Sequence, residues 1–381
     1  MKLRVAVLLV ALLGLTGCSS LASWAKSKSE GTVPADLTEF KPSATVEVRW
    51  QHSIGSGEGM ALQPAVTREA VYAANAKGQI FRLDRNTGKE TWHADAGFPV
   101  SGAVGVGEGL VFVGGTKGDV AAFDDQGKLR WKAKVSSEVL VPPQAADGVV
   151  VVRTGDGKVT GLSVADGKRQ WLYERMTPAL VVRSQAGVVI ERGTVYTGFA
   201  GGKLAAIGLN NGSLLWEAVV SQPRGNTELE RISDITSNPV LDDEQVCAIA
   251  FQGRLACFDP MQGNALWVRD LSGDKGLALL RRSLYITDSK GAVLAMDKGA
   301  GSSLWKNDRL LYRQTSAPFA LDSYVLVGDL EGYVHVLSRE DGAFAARLKT
   351  DGSPILTAPV ALGTGVLVQT SGGGLYSIVI K

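Results

Sequence analysis

The feature that most restricts the fold of this chain is a sequence frame that recurs eight times. Each frame opens with an apolar run, and a glycine follows seven residues after its first position. The frames begin at Val71, Val111, Val150, Val195, Val246, Leu284, Val325 and Val366. The first glycines are Gly78, Gly118, Gly157, Gly202, Gly253, Gly291, Gly332 and Gly373. A repeat spacing of 38 to 51 residues is typical of propeller blades.

Each complete frame predicts three strands joined by hairpins. A second apolar run follows the first glycine, and a turn and a third short run complete the frame. Glycine suits these turns because it adopts positive φ without strain. The second turns contain Gly88, Gly127, Gly167, Gly212, Gly263, Gly301 and Gly342. Segments such as "PAVTREAV" supply a fourth strand ahead of the frame. The pattern predicts an all-β chain, an eight-bladed β-propeller of four-stranded antiparallel blades.

The two ends of the chain are predicted to share one blade. The eighth frame, from Val366 to Lys381, is too short to contain a final strand. The segment "VEVRW", Val46 to Trp50, has the pattern of that missing outer strand. Pairing it with the C-terminal strands closes the ring without an unpaired edge, so the propeller is predicted to span residues 45–381.

One tryptophan per blade is predicted to pack against the neighbouring blade. This structural role is sufficient without a ligand. The tryptophans are Trp50, Trp92, Trp131, Trp171, Trp216, Trp267 and Trp305. The seventh frame has Ala346 at this position, so that contact is expected to rest on neighbours such as Phe344 and to be weaker.

The N-terminal residues have the pattern of a secretory signal followed by a tether. Lys2 and Arg4 precede an apolar run that is too short to span a bilayer, so residues 1–17 are predicted to be removed. The string "LTGC" resembles a bacterial lipobox, which implies lipidation of Cys18. The next residue is Ser19, and a serine at this position resembles the pattern of lipoproteins sent to the outer membrane. Residues 18–44 lack apolar periodicity and predict a flexible tether. The expected location is the periplasmic face of the outer membrane, through a lipid anchor.

Charge and cysteine content exclude some functions and leave one question open. Without residues 1–17 the chain has 38 basic and 38 acidic residues, which does not favour nucleic-acid binding or a polybasic hold on anionic lipid. Cys247 and Cys257 occupy apolar strand positions. They are equally compatible with a periplasmic disulfide and with two buried thiols.

The frames resemble the repeats of pyrroloquinoline quinone enzymes, which implies a dehydrogenase as one alternative. That family usually carries adjacent cysteines in a disulfide and a Glu/Asn/Asp set around calcium. Here the cysteines are ten residues apart, and His52, His93 and His335 are scattered. No phosphate loop, G-x-S-x-G or HExxH motif is present. The sequence therefore predicts no catalytic residue, no metal and no cofactor.

Two insertions predict an interaction surface. From Trp92 onward, the distance from each Trp position to the next frame is 17 to 20 residues, except for 24 after Trp171 and 30 after Trp216. Insertions at the same point of consecutive repeats emerge side by side on one face, which is often the binding face. The candidate partner-binding residues are Leu180, Val182, Arg183, Arg231 and Asp234. In the alternative arrangement, Leu180 and Val182 pack under the longer loop while Arg183 pairs with Asp234.

Three strings resemble the BamB family, lipoproteins of the β-barrel assembly machinery of Gram-negative outer membranes. They are "GDLEGYVHVLSREDG" from Gly328, "TELERISDITSNPV" from Thr227 and "PALVVRS" from Pro178. The resemblance covers essentially the whole mature chain.

The resemblance implies a non-enzymatic scaffold that binds the POTRA domains of BamA through Leu180, Val182, Arg183 and Asp234. Other subunits of the machinery and unfolded outer-membrane proteins are further implied partners. Thr236 departs from the family pattern, which has a second acidic residue there. A general chaperone-like binder of the periplasm is a further alternative.

Overall fold

The structure, a computed structural model, describes residues 33–381. The predicted signal peptide, the lipidation site Cys18 and the first part of the predicted tether lie outside these residues. Within 33–381 there is no helix of the length and apolar character needed to cross a membrane.

The described residues form eight four-stranded antiparallel sheets, which confirms the predicted eight-bladed β-propeller. The first strand, β1 (Val46–Ser53), belongs to the last blade. Blade 1 contains β2 (Ala65–Val66), β3 (Ala70–Ala74), β4 (Gln79–Asp84) and β5 (Glu90–Asp95), and blade 2 contains β6 (Val100–Gly107), β7 (Leu110–Gly115), β8 (Asp119–Asp124) and β9 (Leu129–Lys134). Blade 3 contains β10 (Gln144–Ala146), β11 (Val149–Arg153), β12 (Val159–Ser163) and β13 (Arg169–Tyr173), and blade 4 contains β14 (Val188–Glu191), β15 (Thr194–Phe199), β16 (Lys203–Gly208) and β17 (Leu214–Val219).

The remaining blades follow the same order. Blade 5 contains β18 (Val240–Leu241), β19 (Val246–Ile249), β20 (Leu255–Phe258) and β21 (Ala265–Arg269), and blade 6 contains β22 (Gly276–Leu280), β23 (Ser283–Thr287), β24 (Val293–Asp297) and β25 (Ser303–Asn307). Blade 7 contains β26 (Phe319–Leu321), β27 (Tyr324–Gly328), β28 (Tyr333–Ser338) and β29 (Phe344–Lys349). Blade 8 contains β30 (Val360–Leu362), β31 (Gly365–Gln369) and β32 (Gly374–Ile380), together with β1.

Burial along the strands shows where each strand of a blade lies between the axis and the outer rim of the ring. The second strands β3 and β11 are buried at every residue, because neighbouring blades cover both of their faces. The fourth strand β5 alternates between half-buried and exposed residues, as expected for a strand at the outer rim. The first strands of neighbouring blades contact one another, for example β2 with β6 and β6 with β10, so they surround the axis of the ring.

The ring closes by pairing the two ends of the chain, as predicted. β1 pairs antiparallel with β32, from Val46 opposite Ile380 to Ser53 opposite Gly374. Blade 8 therefore combines strands from both termini, and its outer strand carries Trp50.

Antiparallel order also separates the connections onto two faces. The turns between second and third strands and the connections between blades lie at one end of the strands, here named the upper face. The turns from first to second and from third to fourth strands lie at the other end, the lower face.

The seven tryptophans dock on the neighbouring blade, each at a lower-face turn. The indole N–H of Trp171 donates to the carbonyl of Leu209 over 2.7 Å, and its ring covers Gly212. A Cβ at Gly212 would lie 2.6 Å from Trp171 Cε3, and the φ of +68° is also one that glycine favours. The equivalent pairs are Trp50–Gly88, Trp92–Gly127, Trp131–Gly167, Trp216–Gly263, Trp267–Gly301 and Trp305–Gly342.

The interface between blades 7 and 8 differs from the sequence expectation. Trp docking needs the turn between the third and fourth strands of the next blade, and in blade 8 these strands are the two separate ends of the chain. Ala346 at this interface is buried among residues of β28, β31 and β32. Phe344, which was expected to support it, instead packs with Trp305 at the interface between blades 6 and 7.

The described part of the predicted tether is docked on blade 7. Residues 33–44, here named the N-terminal segment, contain no strand, but the N–H of Ala35 donates to the carbonyl of Leu311 over 2.9 Å. The N–H groups of Ser43 and Ala44 both donate to the carbonyl of Ala345. The tether prediction for 18–44 is therefore corrected for this part, because its backbone and Phe40 find partners on the propeller.

The two propeller cysteines form a disulfide within blade 5. Cys247 in β19 lies directly opposite Cys257 in β20, with the Cα atoms 4.1 Å apart. Both side chains are fully buried. Of the two states that the sequence left open, the structure has the disulfide.

Candidate functional site

Two loops on the upper face form the candidate site. They are residues 174–187 after β13 and 220–239 after β17, here named the contact loops, and neither contains a strand. The N–H of Gly187 donates to Asn238 Oδ1 over 2.6 Å, and the Ser184 hydroxyl lies 3.4 Å from the carbonyl of Ile235. The loops therefore lie side by side, as their equivalent positions in consecutive repeats predict.

Large apolar side chains project from the contact loops. Leu180 and Val181 are each 40% exposed, while Met176 and Leu229 are exposed further still. Val182 is half-buried, and from Val181 to Gln185 exposed and half-buried side chains alternate. Leu180 is itself exposed, so it does not pack under the longer loop as the alternative arrangement required.

Arg183 lies beside these apolar side chains and is fixed by a carboxylate of another blade. Its Nε and Nη2 donate to the two carboxylate oxygens of Glu138 over 3.2 and 2.8 Å. This hydrogen-bonded pair raises the pKa of the Arg183 guanidinium. The side chain remains 59% exposed, so the charge is ordered and still accessible. The alternative pairing of Arg183 with Asp234 is wrong, because Asp234 is engaged elsewhere.

Asp234 is buried and holds the backbone of the contact loops. Only 2% of its surface is exposed. One carboxylate oxygen accepts the N–H of Val182 over 2.7 Å, and the other accepts the N–H of Gly201 over 2.9 Å. This corrects the direct contact expected of Asp234: both oxygens already face backbone amides, so the residue shapes the surface from below.

Arg231 lies in an exposed turn of the second loop. It donates to the carbonyl of Gly225 over 3.1 Å and pairs with Glu228 three residues away over 3.4 Å. Glu230 accepts the N–H groups of Asn226 and Thr227, which lowers the pKa of its carboxyl. The turn is therefore ordered by its own residues, and Arg231 presents charge at the edge of the site.

A buried arginine supports the first contact loop from inside the ring. Arg153 at the end of β11 donates from Nη1 to the carbonyl of Ala186 and from Nη2 to the carbonyl of Gly198, each over 2.8 Å. Burial lowers its pKa to about 10. The guanidinium also lies over the ring of Phe199, 5.6 Å from the centroid. This arrangement joins the loop to β15 of the next blade.

The chain is similar to one family of known proteins over more than half of its length. The sequence profile of the family described as "Outer membrane protein assembly factor BamB" matches residues 76–307. BamB of Bordetella pertussis is 39% identical over 98% of this chain and 96% of its own length. BamB of Pseudomonas aeruginosa is 40% identical over 99% of this chain and 98% of its own length.

The chain belongs to the BamB family.

Solved structures agree with this assignment. The crystal structure of BamB from Moraxella catarrhalis has a TM-score of 0.81 and 26% identity, and covers 88% of this chain and 100% of its own. A europium-containing methanol dehydrogenase has a TM-score of 0.74 at 12% identity over 88% of this chain and 93% of its own. The likeness to the dehydrogenase concerns the fold alone.

The described residues of this BamB-family chain do not fit the quinone and calcium that the resemblance to pyrroloquinoline quinone enzymes implies. Its disulfide is buried inside blade 5 and joins residues ten positions apart. A cavity of about 420 Å³ opens on the axis at the upper face, and its lining includes Arg183, Asp274 and Lys275. Asp274 is the one carboxylate there, and residues 33–381 hold no cluster of three metal-ligating side chains.

Sequence reasoning missed Glu138. This residue lies between β9 and β10, in a connection of ordinary length, so no insertion marked it. Its charge was visible in the string "SSEVLVPP", but the ring geometry that brings blades 2 and 3 next to Arg183 was needed to assign it.

Proposed function

We propose that this BamB-family chain is a non-enzymatic assembly factor for outer-membrane β-barrel proteins, and that its contact loops bind the POTRA domains of BamA. The names of its relatives support the first part, since they describe outer-membrane protein assembly factors. The second part is supported by the surface that the contact loops form.

The observation that carries the binding proposal is the pairing of exposed apolar side chains with one ordered arginine. Leu180 and Val181 offer apolar area that a partner can bury, and Arg183 offers fixed hydrogen-bond donors beside it. Arginine is enriched among the interface residues that dominate binding energy. Complete burial of a fully exposed side chain of this size contributes about 1.5–3 kcal/mol, and Leu180 and Val181 contribute less because each is 40% exposed before binding.

The proposed mechanism is scaffolding at the membrane. Lipidation of Cys18 would hold the chain at the periplasmic face of the outer membrane. The ring then fixes the orientation of the POTRA domains while unfolded outer-membrane proteins are delivered for insertion. Other subunits of the machinery and the unfolded substrates are additional proposed partners.

A binding assay with purified BamA POTRA domains tests the site. Leu180→Asp and Arg183→Glu are expected to weaken capture at least tenfold while the ring stays folded. Matched controls use an exposed leucine and an exposed arginine elsewhere: Leu266→Asp on β21 and Arg192→Glu at a lower-face turn. The controls are expected to bind as the unchanged protein does.

Three outcomes would contradict parts of the proposal. Undiminished capture by folded Leu180→Asp and Arg183→Glu would remove the contact loops as the site. Weak binding to many unfolded chains, unaffected by changes at Arg183, would instead indicate a general chaperone-like binder. A quinone chromophore gained on adding quinone and calcium, with alcohol oxidation, would contradict the non-enzymatic assignment.

A further inference from the structure

Glu138 accepts two hydrogen bonds from the Arg183 guanidinium. The connection that carries Glu138 is fixed, because the N–H of Gly155 donates to the Glu138 carbonyl over 2.8 Å. Gly155 also leaves room for the side chain, since a Cβ there would lie 2.8 Å from Glu138 Cγ. The carboxylate, which is 28% exposed, is thus held against blade 3 at the height of the first contact loop.

The pair uses only one side of the guanidinium. Glu138 accepts from Nε and Nη2, so Nη1 and the second Nη2 hydrogen remain on the outer edge. That second edge can also take a planar acceptor such as a carboxylate with two parallel hydrogen bonds. A free arginine side chain would have to lose its rotamer freedom on binding, and here Glu138 has already ordered it.

We propose that Glu138 is a positioning residue for partner binding: it orders Arg183 so that the outer guanidinium edge takes a carboxylate of the partner. This inference rests on the proposed function, because it assumes that Arg183 contacts the POTRA domains. Glu138 itself is not assigned a contact with the partner.

A double-mutant cycle with BamA POTRA domains tests this role. Glu138→Ala is expected to weaken binding about 3- to 10-fold, the cost of ordering one long side chain. Glu138→Gln, which keeps one acceptor oxygen, is expected to recover part of the loss. In an Arg183→Ala background, Glu138→Ala is expected to have no further effect. Glu244→Ala is the matched control, because Glu244 is a carboxylate that pairs with Lys298 at a lower-face turn, away from the contact loops.

The outcomes separate the two proposals. If Arg183→Ala weakens binding but Glu138→Ala leaves it unchanged or tightens it, the positioning role is wrong and the proposed site stands. An equal loss from Glu138→Ala with and without Arg183 would also overturn the role. If Arg183→Ala has no effect, the proposed site fails and the inference fails with it.

A second inference concerns the N-terminal segment, which crosses blade 7 beside the interface that lacks a tryptophan. Phe40 stacks on Phe344 with ring centroids 5.3 Å apart, and Arg347 lies over both rings at 5.0 and 5.3 Å. Arg347 Nη2 donates to the carbonyl of Thr38 over 3.1 Å, and Arg313 Nη1 donates to the carbonyl of Ala35 over 2.9 Å.

The same segment continues into the interface between blades 7 and 8. After Phe40, Ser43 and Ala44 bond to the carbonyl of Ala345, and Ala44 packs against the cluster that contains Ala346. Thr45 then exchanges two backbone hydrogen bonds of 2.9 Å with Lys381. The segment thus covers the place where the other described interfaces have a Trp on a glycine turn.

We infer that the N-terminal segment closes the interface between blades 7 and 8 in place of a tryptophan. It also fixes the entry of the chain into the ring, since its bonds to Leu311 and Arg313 lie at the upper face. The described part of the segment therefore begins on the same face as the contact loops. Loosening of the segment opens this interface before any other.

Hydrogen exchange on the full chain tests this inference. Phe40→Ala is expected to raise amide exchange at least tenfold at Ser43–Thr45 and in β29 and β32, with blades 2 to 4 unchanged. Leu304→Ala on the rim of blade 6 is the matched control, because it removes an exposed apolar side chain outside the two clusters that contain the segment. Faster exchange in the segment alone, with β29 and β32 still protected, would show that the segment covers the interface without holding it.

Discussion

The carboxylate of Asp234 accepts the backbone N–H of Val182 over 2.7 Å, across 52 residues of sequence. A buried side chain thereby sets the path of the exposed loop that carries Leu180 and Arg183. Binding effects of changes at Asp234 therefore need to be separated from direct contact, because this residue acts through loop geometry.

Replacing Asp234 is expected to disorder the first contact loop. Asp234→Ala leaves the N–H groups of Val182 and Gly201 buried without acceptors, at a cost of about 1–3 kcal/mol for each group. Asp234→Asn keeps one acceptor oxygen and turns an amide N–H₂ toward the other N–H donor. Its stability should therefore lie between those of the unchanged protein and Asp234→Ala. Denaturant unfolding and amide exchange at Val182 measure these effects. Weaker partner binding with unchanged loop exchange would show a direct contact instead.

Truncating a docked tryptophan is expected to cost more stability where its indole side chain is more deeply buried. Trp171→Ala should lower the free energy of unfolding by about 3–5 kcal/mol, because Trp171 is buried against Gly212 and loses its bond to Leu209. The control is Trp216→Ala, since Trp216 is only half-buried at the equivalent interface. Urea unfolding midpoints compare the two. Equal losses would indicate that burial does not set the cost of this contact.

The disulfide in blade 5 is expected to stabilise the ring modestly. Cys247 and Cys257 close a loop with a sequence separation of 10, for which chain entropy gives about 2–3 kcal/mol. Thermal unfolding in the presence and absence of a reductant strong enough to reach a buried disulfide measures the difference. Cys247→Ala/Cys257→Ala controls for the reductant and should be insensitive to it. No shift between oxidised and reduced protein would contradict the expected contribution.

The fold was predictable because every repeat contains the same structural elements. Each frame carries the same strand, glycine turn and tryptophan, so one blade assigned from local pattern assigned all of them, and Val46–Trp50 completed the ring. The ring topology also explains why the seventh frame has Ala346 in place of a tryptophan. In blade 8 the third and fourth strands are the two ends of the chain, so there is no turn on which a tryptophan can dock. The sequence showed the substitution, but the ring topology was needed to explain it.

The candidate site was only partly predictable because it depends on contacts between distant loops. The insertions marked the loops that carry Leu180 and Arg183, since extra length is visible in the sequence. Charge alone did not distinguish buried Asp234 from an exposed residue, and nothing in the sequence linked Glu138 to Arg183. The docked position of Phe40 was missed because residues 33–44 have no regular pattern of their own.

Acidification is expected to loosen blade 7 through a buried histidine. Arg347 Nε donates to His335 Nδ1 over 3.2 Å, so this nitrogen is an acceptor and the neutral ring donates from Nε2 to Asp329 over 2.9 Å. Arg313 donates to the same Asp329 oxygen over 2.8 Å. Protonation at Nδ1 would place a hydrogen against the Arg347 donor. The other titratable groups facing this cluster are Glu331, which pairs with Arg313, and Tyr333, whose ring lies against His335.

The sign of this pH effect follows from the direction of the pKa shift. Burial lowers the pKa of His335 below its ordinary value of 6.5, so the unfolded chain binds a proton that the folded chain does not. Stability is therefore full above pH 6.5 and falls as pH decreases from there toward the folded-state pKa, by up to about 1.4 kcal/mol per pH unit. Burial opposes ionisation of Asp329, but its interactions with His335, the Tyr333 N–H and Arg313 together outweigh burial and lower its pKa, which adds a further loss below pH 3.8. The contribution of the histidine is measured by urea unfolding of His335→Leu and of the unchanged protein between pH 7.5 and pH 5. Amide exchange at Ser43–Thr45 is measured on the same two proteins. As pH falls, the unchanged protein should lose stability and exchange protection of the N-terminal segment together. The variant should be less stable at every pH, but its free energy of unfolding should depend less on pH. Identical pH dependence in both proteins would assign the acid sensitivity to other groups.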